Sequence, residues 1–135
     1  MKTNSFYLIL LLGSITFLFN ACSKDSPSPT DDRSSFLGQW RVNETKKNQT
    51  YNVEITADIN STDGVLIYQF GNFGSSIAAG ASVSGNIITL DPDQEIVSGI
   101  IINGSGILSG TKISWNYSIN NGADSTTVMA IYTKI

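Results

Sequence analysis

Lys112-Ile113-Ser114-Trp115-Asn116-Tyr117-Ser118-Ile119 is the stretch that fixes the reading of the chain. Ile113, Trp115, Tyr117 and Ile119 fall on one side of it, and Lys112, Ser114, Asn116 and Ser118 on the other. A period of two places the apolar set on one face of a half-buried antiparallel strand. Ser109-Gly110 turns the chain into this strand and Asn120-Asn121-Gly122 turns it out. Residues 125–134 then form the closing strand, with Thr126, Val128, Ala130 and Tyr132 sharing a face. Upstream, residues 100–102 continue past Asn103-Gly104 into residues 105–108, a strand bent or bulged where the glycines fall.

The same alternation extends toward the N-terminus. Residues 39–45 set Trp40, Val42 and Glu44 against Gln39, Arg41 and Asn43. Lys46-Lys47-Asn48-Gln49 makes a turn into residues 51–59, where Tyr51, Val53, Ile55, Ala57 and Ile59 face one way. Asp63-Gly64 predicts a hairpin in which the glycine takes positive φ. Residues 65–70 are apolar on both faces, so some of their aromatic side chains must meet another element, a ligand or a partner. Residues 71–76 read as a loop. Residues 77–83 and 87–90 flank the Ser84-Gly85-Asn86 turn, and Asp91-Pro92-Asp93 interrupts the sheet before residues 94–97. No helical stripe appears after Phe36. The expected fold is all-β, an antiparallel meander of about eight short strands, with sandwich and barrel both consistent with the spacing. A barrel removes exposed edges, and eight strands leave an interior that side chains fill or that holds one small ligand.

Phe36-Leu37-Gly38-Gln39-Trp40 resembles the Gly-x-Trp opening strand of lipocalin and calycin-type barrels. Residues 36–135 as a whole are similar to small lipocalin-like lipoproteins of Bacteroidota. The 83–86 turn, Gly104-Ser105-Gly106, residues 113–117 and the terminal Ala130-x-Tyr132-x-Lys134 carry that likeness. It implies a small closed or nearly closed barrel whose base is sealed by Gly38 and Trp40, with Lys134 packed over the indole. It also implies a small apolar or aromatic ligand, for which Tyr68, Phe70, Phe73, Trp115 and Tyr117 are the candidate contacts.

The first 35 residues read differently. Lys2 precedes an apolar run, residues 6–19, relieved only by Gly13, Ser14 and Thr16. At ~1.5 Å per residue it is short for a hydrocarbon core of about 30 Å, so residues 1–21 read as a signal peptide. Leu18-Phe19-Asn20-Ala21-Cys22 resembles the lipobox of bacterial lipoproteins, which implies lipidation of Cys22. Ser23-Lys24-Asp25 resembles the export signal that sends Bacteroidota lipoproteins to the cell surface. The expected location is the outer membrane, lipid-anchored, on the surface or the periplasmic face. Each buried lipid CH₂ contributes ~0.8 kcal/mol, so several chains on one cysteine anchor firmly. Residues 23–35 carry no apolar side chain and read, with Cys22, as a tether.

Composition excludes several chemistries. The 135 residues contain no histidine and one cysteine, which removes Ser-His-Asp and Cys-His catalysis and zinc sites built on those ligands. An intrachain disulfide is impossible. Cleavage before Cys22 leaves seven basic against eleven acidic side chains, a surface unsuited to nucleic acid. The acidic stretches 91–95 and 58–64 read more simply as solvated turns than as calcium loops, since the latter lacks a closing Glu. No cofactor, no metal and no enzymatic activity are expected. Two functional readings remain open. One is a ligand-binding barrel at the membrane. The other is a solid-core interaction or accessory module of a surface complex, with contacts on loops 71–76 and 91–95. A hollow interior favours the first and a filled one the second.

Overall fold

The computed structural model describes residues 31–135. The expected signal peptide over residues 1–21, the expected lipidation site Cys22 and the expected Ser23-Lys24-Asp25 export signal lie outside the described residues. Nine strands follow in chain order: β1 Gly38–Glu44, β2 Gln49–Ala57, β3 Gly64–Tyr68, β4 Ala78–Ser84, β5 Ile87–Leu90, β6 Gln94–Val97, β7 Ile100–Ser109, β8 Lys112–Asn120 and β9 Ser125–Lys134. All pair antiparallel. β1 lies between β2 and β9, and the pairing of β5 with β7 closes the sheet into an eight-stranded barrel. β6 is the additional strand. It takes over from β5 along the same edge of β7, after the break at residues 91–93.

That break is bridged by a side chain. β4 pairs with β5 only as far as Ala81 with Leu90. Beyond it the Gln94 carboxamide acts as a substitute peptide: Gly80 N donates to its Oε1 at 2.9 Å, and its Nε2 donates to Gly80 O at 2.7 Å. Asp93 and Asn103 secure the other side, through Asp93 N to Asn103 Oδ1 at 2.8 Å and Asn103 Nδ2 to Asp93 Oδ1 at 3.0 Å. Backbone groups that the break would otherwise leave unpaired thus find partners.

One end of the barrel, the base, carries the chain's approach to β1, the 58–63 loop, the turns at 85–86 and 110–111, and the end of β9. The mouth carries the β1–β2 turn, the 69–77 loop, and the 98–99 and 121–124 turns. Inward side chains alternate as the strands require. Trp40, Val42 and Glu44 come from β1, Tyr51, Val53 and Ile55 from β2, Ile113, Trp115 and Tyr117 from β8, and Val128, Ala130 and Tyr132 from β9. Bulk on β8 faces its absence on β7. Gly106 is the register partner of Trp115, and a Cβ there would stand 2.9 Å from the indole Cδ2 and 2.8 Å from Ile113 Cγ2. At Gly104, partner of Tyr117, a Cβ would run into the β8 backbone. These glycines are spaces for the neighbouring strand, and residues 100–109 stay one continuous strand through them.

Several boundaries differ from the sequence reading. Residues 31–35, expected to belong to the tether, fold onto the base. Asp31 caps a 3₁₀ turn over Asp32–Ser35. The Arg33 guanidinium bonds Asp31 and donates through Nη1 to the carbonyls of Asp58, Ser61 and Gly64 at 3.3, 2.8 and 3.2 Å. Asp32 Oδ2 accepts from Gly85 N at 2.9 Å. The expected two-residue hairpin at Asp63-Gly64 is instead a loop held by these bonds, and Gly64 is outside the positive-φ set. Ile59, placed by alternation on the inner face, is 95 % exposed because β2 ends at Ala57. β3 stops at Tyr68, and Gln69 turns left-handed at φ 64° to swing Phe70 back into the core.

The base is sealed by Trp40, fully buried, whose Nε1 donates to Phe36 O at 2.7 Å. Lys134 Nζ lies 5.2 Å from the centroid of its ring and donates to Ser35 O at 3.1 Å. A cation at this distance over an indole is attracted to its negative face. Trp40→Ala is expected to lower unfolding free energy by about 3–5 kcal/mol. Ile107→Ala, on the outer face, should change it by less than about 0.5–1 kcal/mol, and urea titration of both variants reads the contrast.

Candidate functional site

The upper interior collects the polar atoms of the core. Glu44 ends the inward face of β1, opposite Ala130 on β9, and only 1 % of its surface is exposed. Its Oε1 accepts hydrogen bonds from Tyr51 OH at 2.8 Å and Tyr117 OH at 3.0 Å. Those two donors come from opposite sides, since Tyr51 opens β2 and Tyr117 is the third inward residue of β8. The other oxygen, Oε2, has no hydrogen-bond partner among the described residues; Lys47 Nζ approaches it at 3.8 Å. Tyr132 OH and Trp115 Nε1 are likewise buried without a partner. A lone buried charge is strongly disfavoured, and two phenol donors with a nearby ammonium offset that penalty here.

Burial pushes the Tyr51 phenol well above its ordinary range, with the phenols of Tyr132 and Tyr117 and the Glu44 carboxylate adding to the rise. The Tyr117 phenol rises for the same first reason, burial, and then because of Glu44. Tyr132, wholly enclosed, is raised by burial and then by Tyr117 and Glu44. All three therefore keep their protons through the physiological range. Tyr51 and Tyr117 remain donors to Glu44.

Of the aromatic residues singled out in the sequence, three meet. Phe70 packs edge-on against Trp115 at 5.5 Å between ring centroids and tilted against Tyr117 at 4.7 Å, while Trp115 stacks toward Tyr132 at 5.6 Å. Phe70 is the plug of the mouth side, delivered by the 69–77 loop. Tyr68 and Phe73 do not join them. Tyr68 is on the outward parity of β3, half-buried, opposite Glu54 on β2 and Ala78 on β4. Phe73 is half-buried on the loop, its ring against Gly71.

The interior along the barrel axis is filled. Val42, Ile67, Phe70, Ala79, Ile88, Ile102, Ile113, Ala130 and Tyr132 expose nothing to a water-sized sphere from either side. A small cavity of about 80 Å³ opens at the mouth, walled by Glu44, Lys46, Lys47, Thr126, Thr127 and Val128. Glu44, Tyr51 and Tyr132 were not singled out from sequence. Alternation had put Glu44 on the side of Trp40 and Val42, and that parity was the available signal. Among the described residues no three acidic or thiol side chains converge as a metal site. The 58–64 loop instead closes on itself, with Asn60 N donating to Asp58 Oδ1 and Ser61 Oγ to Asp63 Oδ1.

No protein-family model matches the chain, and no curated protein matches it in sequence.

The raised phenols set the alkaline limit of the fold. Above pH 10, the ordinary phenol value, the unfolded chain sheds protons that the folded chain keeps, so stability falls as pH rises. Each of the three tyrosines contributes up to ~1.4 kcal/mol per pH unit in that range. Urea titrations from pH 9 to about 11 should show the decline. Tyr117→Phe should make it shallower than in wild type.

Proposed function

We propose that the protein is a lipid-anchored, lipocalin-like module of the outer membrane that works by interaction through its surface, and that it carries no ligand along its barrel axis. The observation that carries this reading is the filled interior, closed by Phe70 at one end and Trp40 at the other. A barrel built to hold an apolar cargo requires a concave, accessible pocket of several hundred Å³. The residues assigned to such a pocket, Phe70, Trp115 and Tyr117, instead spend their surfaces on one another.

The outer wall supports the same reading. Ile87 and Ile107 are direct partners across β5 and β7, and both are exposed. Ile131 on β9 lies one strand beyond Ser114, the β8 partner of Ile107, and exposed Met129 is two residues along β9. Outward residues from 101 to 109 and from 125 to 133 include no charged side chain, and β8 between them contributes Ser114, Asn116 and Ser118 with Lys112 at its base end, so the middle of this wall is uncharged. Depletion of charge is the compositional mark of interface centres.

The attachment point lies at the base. Because Asp31–Ser35 is pinned to the base by Arg33 and Asp32, an anchor at Cys22 leaves eight residues between lipid and domain, residues 23–30. These reach at most roughly 25–30 Å. The base is then the end tethered to the membrane. Cys22→Ala is expected to move the protein from the detergent phase to the aqueous phase and to abolish fatty-acid labelling; unchanged partitioning contradicts the anchor. With Cys22 acylated, Asn121→Cys at the mouth supplies the one free thiol. An impermeant maleimide should label it on intact cells, and labelling only after lysis would place the protein on the periplasmic face.

A further inference from the structure

The uncharged outer wall has a pattern that bears on what meets it. One row of register partners crosses the barrel there: Ile87 on β5, Ile107 on β7, Ser114 on β8 and Ile131 on β9. All four are outward and exposed, Ile107 at 53 % and Ile131 at 38 %. The row is symmetric about Ser114, with a small hydroxyl at the centre and one isoleucine on the strand to either side. A two-fold axis through Ser114 and along the strands sets Ile107 of each copy against Ile131 of the other. An isologous interface requires this kind of self-complementarity. In the next row toward the mouth Ser105, Asn116 and Met129 are partners in the same way, and the same axis lays Met129 over Ser105 of the other copy. Lys112 is exposed at the base end of β8, where its long side chain reaches solvent.

Charge points to a second copy as the occupant. The mature chain is net acidic, so two copies repel one another except where the surface is uncharged, as the middle of this wall is. A partner selected by charge would need charges in these rows to pair with, and they hold none. An axis along the strands also keeps both bases at one end, so that both tethers reach the same bilayer. β7 and β9 are ten residues long and β8 is nine. At strand spacings of about 4.8 Å and ~3.4 Å per residue, the three present a face of roughly 15 by 30 Å. Two such faces bury roughly 900 Å², below the ~1,200–2,000 Å² of a stable complex and in the range of transient ones. Confinement to one bilayer raises the effective concentration of two tethered copies, which is what a contact of this size needs. We infer that the β7–β8–β9 wall is the contact face for a second copy of this chain, in a side-by-side two-fold dimer of anchored molecules. The inference rests on the surface-interaction reading above and names its partner.

The test is cross-linking of the lipidated full chain in membranes of disrupted cells, with Ser114→Cys as the sole free thiol and a short bismaleimide as reagent. Ser114→Cys is expected to give a covalent dimer on a denaturing gel. Asn52→Cys, exposed on β2 two strands beyond β9, should give background only. Ile107→Asp, added to Ser114→Cys, sets a carboxylate against Ile131 of the other copy and should cut the yield roughly tenfold or more. A urea titration of that variant reports that it is folded. An equal yield from Asn52→Cys, no dimer from Ser114→Cys, or a yield unchanged by Ile107→Asp would each overturn the second copy. A monofunctional maleimide separates that failure from failure of the surface reading. Ser114→Cys that stays monomeric yet is shielded, while Asn52→Cys is labelled, means that a different protein covers the wall. Equal labelling of both without a dimer means that nothing covers it, and both readings fail. A wild-type dimer formed through Cys22 would contradict the anchor and this inference with it.

Discussion

An eight-stranded closed sheet has a fixed interior volume, and everything else in this molecule follows from how that volume is filled. The largest side chains come from β1, β8 and β9, where Trp40, Trp115, Tyr117 and Tyr132 all point inward. Opposite bulk there has to be relief, and Ala79 and Ala81 on β4 with Gly104 and Gly106 on β7 supply it. Interiors are packed as densely as organic crystals, so a methyl group added at Gly106 meets Trp115 with nowhere to go. The loop after β3 completes the packing with Phe70, a residue from outside the strands. With no disulfide possible, this packing and the ladder hydrogen bonds hold the fold.

Against that apolar filling, Glu44 is the one buried carboxylate among the described residues. A hydrophobic residue of similar volume would serve stability as well or better at such a position.

Much of the fold was legible because a two-residue period leaves little freedom. The alternations in residues 39–45, 51–57 and 112–119 name the inward residues of β1, β2 and β8, and the last two strands end where glycine and asparagine turns predict. The differences arise where tertiary contacts overrule local signals. Asp63-Gly64 has the composition of a tight turn, yet Arg33, some thirty residues earlier, organises that loop through three carbonyls. The 31–35 segment has the composition of a linker, and its folding depends on the same arginine. Tyr68 and Phe70 are two residues apart and would share a face in a continuous strand; the left-handed Gln69 between them sends one outward and the other into the core. Glu44 was visible as an inward acid, but its two tyrosine donors lie 7 and 73 residues away in sequence, and Tyr117 reaches it only through the long-range pairing of β9 with β1.

The claim on which the account rests is that the barrel axis is solid. A crystal structure determined under xenon pressure tests it directly, because xenon enters empty apolar cavities and scatters strongly. The account predicts no xenon atom among Ile67, Ile88, Ile102, Ile113 and Trp115. A well-occupied xenon site there would contradict it, revealing a hollow interior and returning the ligand-binding barrel as the better reading of this chain.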